Sequence, residues 1–500
     1  MPSIPSDAGA MVVLGGPDLG SVYWAERAPG NVFLAGYRAF VGGRVEPGDL
    51  EVGVTGELAS PGSGPASGAE RLSAVAAVRE LFEETGLLVA RSVAPIDTRA
   101  LAAARAELPK GRPFAAVLGE LGATIDLALL RRAGRWVTPA FAPRRFDTHF
   151  FLASCPPGQQ PSLVEGGEIQ AGDYVRPGAA VAAWERAEAL VPPPVLHILR
   201  ALALGMDGGL EARLLKTPLA QGVPFARIEF LPGIVLVPLK TETLPPATTT
   251  NAYVIGRERA LVVDPAASDP AEQEKLARVI EDLLGEGVKL EAMVLTHHHP
   301  DHVGGVEDLR RRYRIPVWAH SETEARLGGR VVVDRRLADE ERLDLGAGYA
   351  LVAMHTPGHA AGHLCLREER TRALLTGDNV VGFGTVLIDP EEGDMEAYLQ
   401  SLRRLLSTPA RALFGGHGPA VAHGETAIRA LIAHRLWREG EVLRAVAAGA
   451  RTLDDIARAA YPDAKGETLP LARRQAQAHL ARLARKGKVR PAGEGFEATG

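Results

Sequence analysis

Cysteine is nearly absent. The chain has two in 500 residues, Cys155 and Cys365, which excludes a disulfide framework and fits a reducing compartment. No uncharged apolar run approaches the roughly eighteen residues that span a bilayer, so no membrane association is expected. The first residues carry neither a basic stretch nor a long apolar run, so no signal peptide is expected and a cytoplasmic location is. Neither sign of charge dominates: a net charge of −5 gives no global field that would draw the chain to nucleic acid or lipid. There is no internal repeat. What is present is the composition of a soluble globular protein, 46% hydrophobic and 23% charged, in a chain too long for one ordinary core.

Strand-like runs at Ala10–Leu14 and Val22–Ala25 lead to a glycine turn at Gly42–Gly43. The Gly-, Ser- and Pro-rich stretch 53–68 reads as a flexible insertion. A helix follows over Glu70–Thr85, stopped by Gly86. A turn at Pro192–Pro194 and a last helix close this unit, and 206–222 reads as a linker. From Val223 apolar runs alternate with helices: Ile234–Pro238, Ala252–Ile255, Ala260–Val263, Ala292–Leu295, Val317–Ala319 and Ala373–Leu375. That rhythm is an α/β layered domain. From Leu436 the pattern becomes three short helices. The expected domains are therefore 1–205, 223–435 and 436–500.

The densest chemistry lies at Thr296-His297-His298-His299-Pro300-Asp301-His302, just after the apolar run Ala292–Leu295. Burying that strand leaves the histidines on the loop at its end. His297, His299, Asp301 and His302 follow an H-x-H-x-D-H spacing, and imidazole with carboxylate is a zinc donor set that can feed two adjacent ions. Further donors stand after later strands: His359 in Thr356-Pro357-Gly358-His359, Asp378 in Thr376-Gly377-Asp378, and His417 in Gly415-Gly416-His417.

This order resembles the metallo-β-lactamase superfamily over nearly all of 225–432. The resemblance implies an αβ/βα sandwich. It implies that His297, His299 and His359 hold one metal, that Asp301, His302 and His417 hold a second, and that Asp378 bridges them. Two zinc ions are expected, with manganese or iron as alternatives. Water between such ions ionises near neutral pH and attacks a carbonyl or phosphorus centre, with Asp301 able to relay a proton. Asp264 matches the family's supporting aspartate, and His363 reads as a supporting histidine; His298, His320 and His355 are given no role. The segments Thr250-Asn251-Ala252-Tyr253, Gly377-Asp378-Asn379 and Gly416-His417-Gly418-Pro419 are similar to the beta-lactamase-like protein 2 group. That group is associated with endoribonuclease activity on single-stranded RNA, and close relatives act as thioesterases.

Residues 436–500 resemble the small winged helix of that group. Thr452 is an expected N-cap for Leu453–Ala460. A second helix, about Leu471–Lys486, carries Arg473, Arg474, Arg482, Arg485 and Lys486, followed by Lys488 and Arg490. Two readings stand: these cations neutralise nucleic-acid phosphates, or the helix packs on the hydrolase or a second copy. Packing is preferred, and the lack of interleaved aromatics argues against stacking on single strands.

In the first domain, Arg79-Glu80-Leu81-Phe82-Glu83-Glu84-Thr85-Gly86-Leu87 fits R-E-U-x-E-E-x-G-U. On a helix Glu80, Glu83 and Glu84 share a face, and their mutual repulsion invites Mg²⁺ or Mn²⁺, ions that also bind diphosphate oxygens. The pattern resembles the second half of a Nudix box, and implies the α+β Nudix fold with Glu83 and Glu84 catalytic and Glu80 a further metal ligand. Gly43 stands farther before Arg79 than the box requires, and Glu70 sits one residue out of register as the early glutamate. Phe33-Leu34-Ala35-Gly36, Phe40–Val45, Thr138-Pro139-Ala140 and Arg145–Phe151 are similar to one branch, the coenzyme A diphosphatases of the nucleoside diphosphate-linked moiety X motif 19 type. Arg44 and Arg145 are then candidate phosphate contacts or structural ion-pair partners, and Glu168 a candidate base.

The whole reads as a bifunctional metal-dependent hydrolase. One half cleaves a diphosphate, with CoA or acyl-CoA preferred. The other hydrolyses a thioester or related bond, or else RNA. A third reading makes the Nudix half a non-catalytic ligand sensor. The residues leave the oligomeric state open.

Overall fold

The computed structural model describes residues 4–16, 19–31, 34–60, 64–139, 142, 144–220, 227–493 and 495–499, without the side chain of 467. Phe33, Ala140 and the expected boundary at 222–223 lie outside the described residues. The chain gathers into two compact units, Met1–Pro232 and Gly233–Gly500.

In the first unit, strand Ser6–Gly15 is the middle of a mixed sheet. It runs parallel to Phe146–Ser154 and antiparallel to Ser21–Arg27 and Val41–Arg44. Ala8 to Gly15 is buried without alternation, because both sheet faces are covered. On one face Met11 and Val13 meet Val75, Val78, Leu81 and Phe82 of the glutamate helix. On the other, Val12 and Leu14 meet Trp24, Trp184 and Leu199.

The glutamate helix spans Gly68–Thr85. Ser67 caps it by accepting from the Glu70 amide at 3.2 Å, and Gly86 ends it at φ 73°. Its apolar stripe fixes which face is buried, and so which face shows the glutamates. Glu70 is not among them. It is buried and bonded to Arg132 at 2.6 and 3.0 Å, tying the helix to strand Arg131–Val137. The helix can lie this close because Gly9 has no side chain: a Cβ there would sit 1.7 Å from the Ser73 carbonyl oxygen.

Two stretches differ from the sequence expectation. Within 53–68, Val54 and Thr55 pair in parallel with Ile125 and Asp126, so part of the insertion joins a small sheet. Within 206–222 a helix forms at Leu210–Leu215; Leu210 and Leu214, four apart, share one buried face, and that burial outweighs the surrounding glycines.

The second unit is two sheets with helices outside. One runs through Ile234–Lys240, Thr249–Ile255, Arg259–Val263, Lys289–Val294 and Val317–Ala319. The other runs Glu341–Gly346, Tyr349–His355, Leu364–Glu368, Ala373–Gly377, Ala412–Gly415 and Val421–Ala422. Tyr253 and Phe414 meet edge to face between them, with ring centres 6.0 Å apart. The parallel pairs matter most: Arg259–Val263 beside Lys289–Val294, and Ala373–Gly377 beside Ala412–Gly415. Parallel strands finish on the same sheet edge, so the loops after them converge.

Helix Gly424–Ala447 then runs 24 residues, straight through the expected boundary at 435–436. Helices Leu453–Ala460 and Leu469–Arg485 and the hairpin Val489–Ala492/Gly495–Ala498 complete a small winged helix, with Thr452 as N-cap as expected.

Gly9→Ala forces the central strand and the glutamate helix apart. It is expected to destabilise the first unit by about 1–3 kcal/mol, read as a shifted urea unfolding midpoint.

Candidate functional site

The histidine loop follows strand Lys289–Val294, with Asp301 and His302 on the single turn Pro300–Val303. Asp264, at the end of the neighbouring parallel strand, fixes it. Its carboxylate accepts from the Thr296 amide at 2.7 Å, from Thr296 Oγ1 at 2.6 Å and from His302 Nδ1 at 2.9 Å. Asp264 adopts φ 49°, a left-handed conformation that non-glycine residues seldom hold unless their surroundings impose it.

The structure brings all seven sequence-predicted donors of this half into overlapping groups. Donor atoms of His297, His299 and His359 lie within 4.8 Å of one another, as do those of His297, His302 and Asp378, and of Asp301, His302 and His417. Asp378 stands between: one oxygen is 3.5 Å from His302 Nε2, the other 3.3 Å from His417 Nε2 and 3.7 Å from His359 Nε2. The outward nitrogens are already engaged. His359 Nδ1 bonds the Leu387 carbonyl at 2.8 Å, His417 Nδ1 the Thr249 carbonyl at 2.9 Å, and His299 Nε2 the Glu392 carboxylate at 2.9 Å. Anchoring one ring nitrogen leaves the other with a lone pair facing inward, which is how proteins orient metal-binding imidazoles.

Charge in the pocket is strongly partitioned. Burial holds His297 well below the ordinary imidazole range and brings His359 down to about 4, so both are neutral. Burial opposes a charge on His302 too, but Asp378, Asp301 and Asp264 outweigh it and raise that residue well above the usual range. Asp378 is held well below the carboxylate range by His417 and His302, despite its burial. His302 Nε2 and Asp378 Oδ1 face each other at 3.5 Å, buried and without a closer hydrogen-bond partner. Unpaired buried donors are costly, and a pair of divalent cations fits this set of imidazoles and carboxylates.

His363 supports the site: its Nε2 is 3.1 Å from the Asp378 amide, and its Nδ1 is 3.1 Å from Thr356 Oγ1. Sequence reasoning missed Glu392, which closes a fourth donor group with His298 and His299. It is 93 residues from His299, and no local spacing could have linked them. His320 and His355 stack on each other, ring centres 4.0 Å apart.

In the first unit, Arg79 lies beneath the glutamates. Its guanidinium bonds Asp49 at 2.8 and 3.2 Å, the Arg44 carbonyl at 3.0 Å, Glu80 at 3.0 Å and Glu83 at 3.2 Å. Asp49, on the short turn Pro47–Glu51, is the second residue that sequence reasoning missed. Gly43 lies directly over Glu80, where a Cβ would come within 2.1 Å of the carboxylate. Burial raises all three glutamates, Glu80 to about 7, and Glu84 is raised further by Glu168. Glu84 Oε2 is buried with no partner. Such carboxylates fit a hard divalent cation. Among the described residues the close donor groups all lie in the second unit, and Glu80, Glu83 and Glu84 form none. Glu168 itself is bonded to Arg27 at 2.9 Å. The Arg44 side chain is largely exposed, 3.4 Å from Glu46, while Arg145 Nε donates to the Thr138 carbonyl at 2.9 Å.

Six of the seven tail cations are engaged within their own unit. Arg473 pairs with Asp454, Arg474 with Asp389, Arg482 with Glu439 and Glu396, Arg485 with Asp394, Lys486 with Glu439 and Arg490 with Glu497.

Comparison with known proteins finds three matches along the chain. Residues 59–202 match the NUDT19 Nudix domain, 245–417 the metallo-beta-lactamase superfamily, and 452–497 the beta-lactamase associated winged helix domain. An atrochrysone carboxyl ACP thioesterase of Claviceps purpurea is 31% identical over 200 residues, 39% of this chain and 60% of that protein. One from Aspergillus terreus is 31% identical over 207 residues, 40% of this chain and 59% of that one. The chain thus spans about three fifths of the length of these relatives. A beta-lactamase domain protein from Burkholderia ambifaria superposes with TM-score 0.50 at 20% identity, over 56% of this chain and 96% of that one, and shares the fold.

Arg79→Leu leaves Asp49 buried without its partner. It is expected to cost about 3–5 kcal/mol of stability, measured by chemical denaturation.

Proposed function

Because the chain carries a Nudix hydrolase domain, a metallo-β-lactamase hydrolase domain and a winged helix in that order, we propose that it is a bifunctional metal-dependent hydrolase acting on acyl-CoA-like substrates. The second half hydrolyses the thioester, and the first cleaves the diphosphate. The observation that carries the hydrolase reading of this half is the convergence of seven donors, Asp378 among them and five of them buried.

In this reading His297, His299 and His359 would hold one ion and Asp301, His302 and His417 the other, with Asp378 available to both. When bound, the pair supplies Lewis acidity and a nucleophilic water at neutral pH, as zinc or, by the same donors, manganese or iron. Asp301 is the residue placed to move a proton. Its Oδ2 is oriented by Thr250 Oγ1 at 3.2 Å and lies 3.7 Å from His417 Nε2. Thioesters are favoured over RNA for two reasons. The relatives named above are called ACP thioesterases, and six of the tail cations that would grip phosphates pair with carboxylates of this chain.

In the first half Glu80, Glu83 and Glu84 would hold Mg²⁺ or Mn²⁺, which supplies charge neutralisation to a diphosphate. Arg79 keeps Glu80 and Glu83 in place, and Arg44 and Arg145 contact the substrate phosphates.

With acetyl- or long-chain acyl-CoA and Mg²⁺, mass spectrometry is expected to find both 3′,5′-ADP and free acid. Asp378→Asn abolishes release of the acid and leaves the ADP product. Glu83→Gln with Glu84→Gln does the reverse. Nucleotide binding without turnover would make the Nudix half a sensor, and cleavage of RNA with no acid released would sink the thioester reading.

A further inference from the structure

Between strand Ala373–Gly377 and helix Met395–Leu406 the chain forms no regular secondary structure, yet it carries two of the anchors described above. Leu387 offers its carbonyl to His359, and Glu392 its carboxylate to His299. A loop without a ladder of its own must be held by something else. The hydrolase holds its two ends, through the Gly382 amide on the His417 carbonyl at 2.7 Å and the Asp394 amide on the Gly358 carbonyl at 2.8 Å, and the tail grips the stretch between and its C-terminal end. Gln475 Oε1 accepts the Ile388 amide at 3.1 Å. Arg474 bonds Asp389 at 2.7 Å, Arg485 bonds Asp394 at 2.6 Å, and Arg482 bonds Glu396 at 2.5 Å. Arg435, on the helix that leads into the tail, donates to the Val386 carbonyl at 2.5 Å.

These grips flank the two histidine anchors along the segment: Arg435 on Val386, His359 on Leu387, Gln475 on Ile388, Arg474 on Asp389, then His299 on Glu392 and Arg485 on Asp394. The anchors of the other site lie elsewhere. His302 rests on Asp264 and His417 on the Thr249 carbonyl, both outside the gripped segment.

We infer that the winged-helix tail is a built-in part of the His297–His299–His359 site, with Gln475, Arg474 and Arg485 acting as positioning residues through the Val386–Asp394 loop. The inference rests on the two-metal reading. It gives the tail cations a task other than binding nucleic acid, and it makes the two metal positions unequal: one depends on the tail and the other does not.

The test is a zinc titration of the metal-free full chain against a chromophoric chelator. Wild type is expected to take up two ions with separable affinities. Gln475→Leu removes the acceptor for Ile388, and Arg474→Gln with Arg485→Gln removes two ion pairs whose arginines are more than half exposed, so that variant keeps its core. Each is expected to weaken one affinity about 10- to 100-fold and leave the other unchanged. Glu392→Ala should weaken the same affinity, and Gln475→Glu, which keeps an acceptor, should bind both ions as wild type does. Variants that bind both ions as wild type does, or that lose both equally, overturn the inference while leaving the two-metal reading intact. A wild-type chain that takes up no zinc removes the two-metal reading itself, and this inference with it.

Discussion

One buried carboxylate organises the second unit's chemistry. Asp264 accepts three hydrogen bonds, two from Thr296 and one from His302, and so sets both the path of the histidine loop and the orientation of the ring that faces Asp378. The geometry is possible because two parallel strands end side by side, with the Asp264 amide bonded to the Val294 carbonyl at 3.0 Å. Remove that register and the donors no longer share a centre. The strained backbone at Asp264 is consistent with surroundings that over-determine it.

The first unit solves a similar electrostatic problem by a different route. Three glutamates crowd one helix face, and their desolvation raises each of them. A single arginine answers Glu80 and Glu83, and is itself balanced by buried Asp49. The cluster is therefore assembled from the inside out: Asp49 holds Arg79, Arg79 holds two carboxylates, and the Gly43 backbone lies against the carboxylate of Glu80. Glu84 stands outside this chain of support, influenced instead by Glu168 and Arg105.

Much of this was legible in the sequence because it is local. The histidine loop follows a buried strand within a few residues, and the glutamates repeat at helical spacing beside an apolar stripe, so element and site could be read together. The separate positions of His359, Asp378 and His417 were legible only through resemblance, since nothing local ties one strand end to another. Glu392 and Asp49 were not legible at all. Each meets its partner through a tertiary contact across 93 and 30 residues, and each lies in a polar turn that looks like any other. The misjudged elements have the same origin. Leu210 and Leu214 are too few to announce a helix among glycines, yet the core offers them a place. The strands Glu341–Gly346 and Tyr349–His355 carry the second sheet without a motif to mark them.

Helix Gly424–Ala447 begins on the hydrolase and ends in the winged helix without a break. A rigid rod shared by two modules leaves no seam at which one could be exchanged for another by recombination. Any crossover inside those residues would join half-helices whose buried positions, Ile428 on one side and Val442 and Val446 on the other, belong to different cores. The tail and its hydrolase are thus expected to be inherited as a single piece, diverging together.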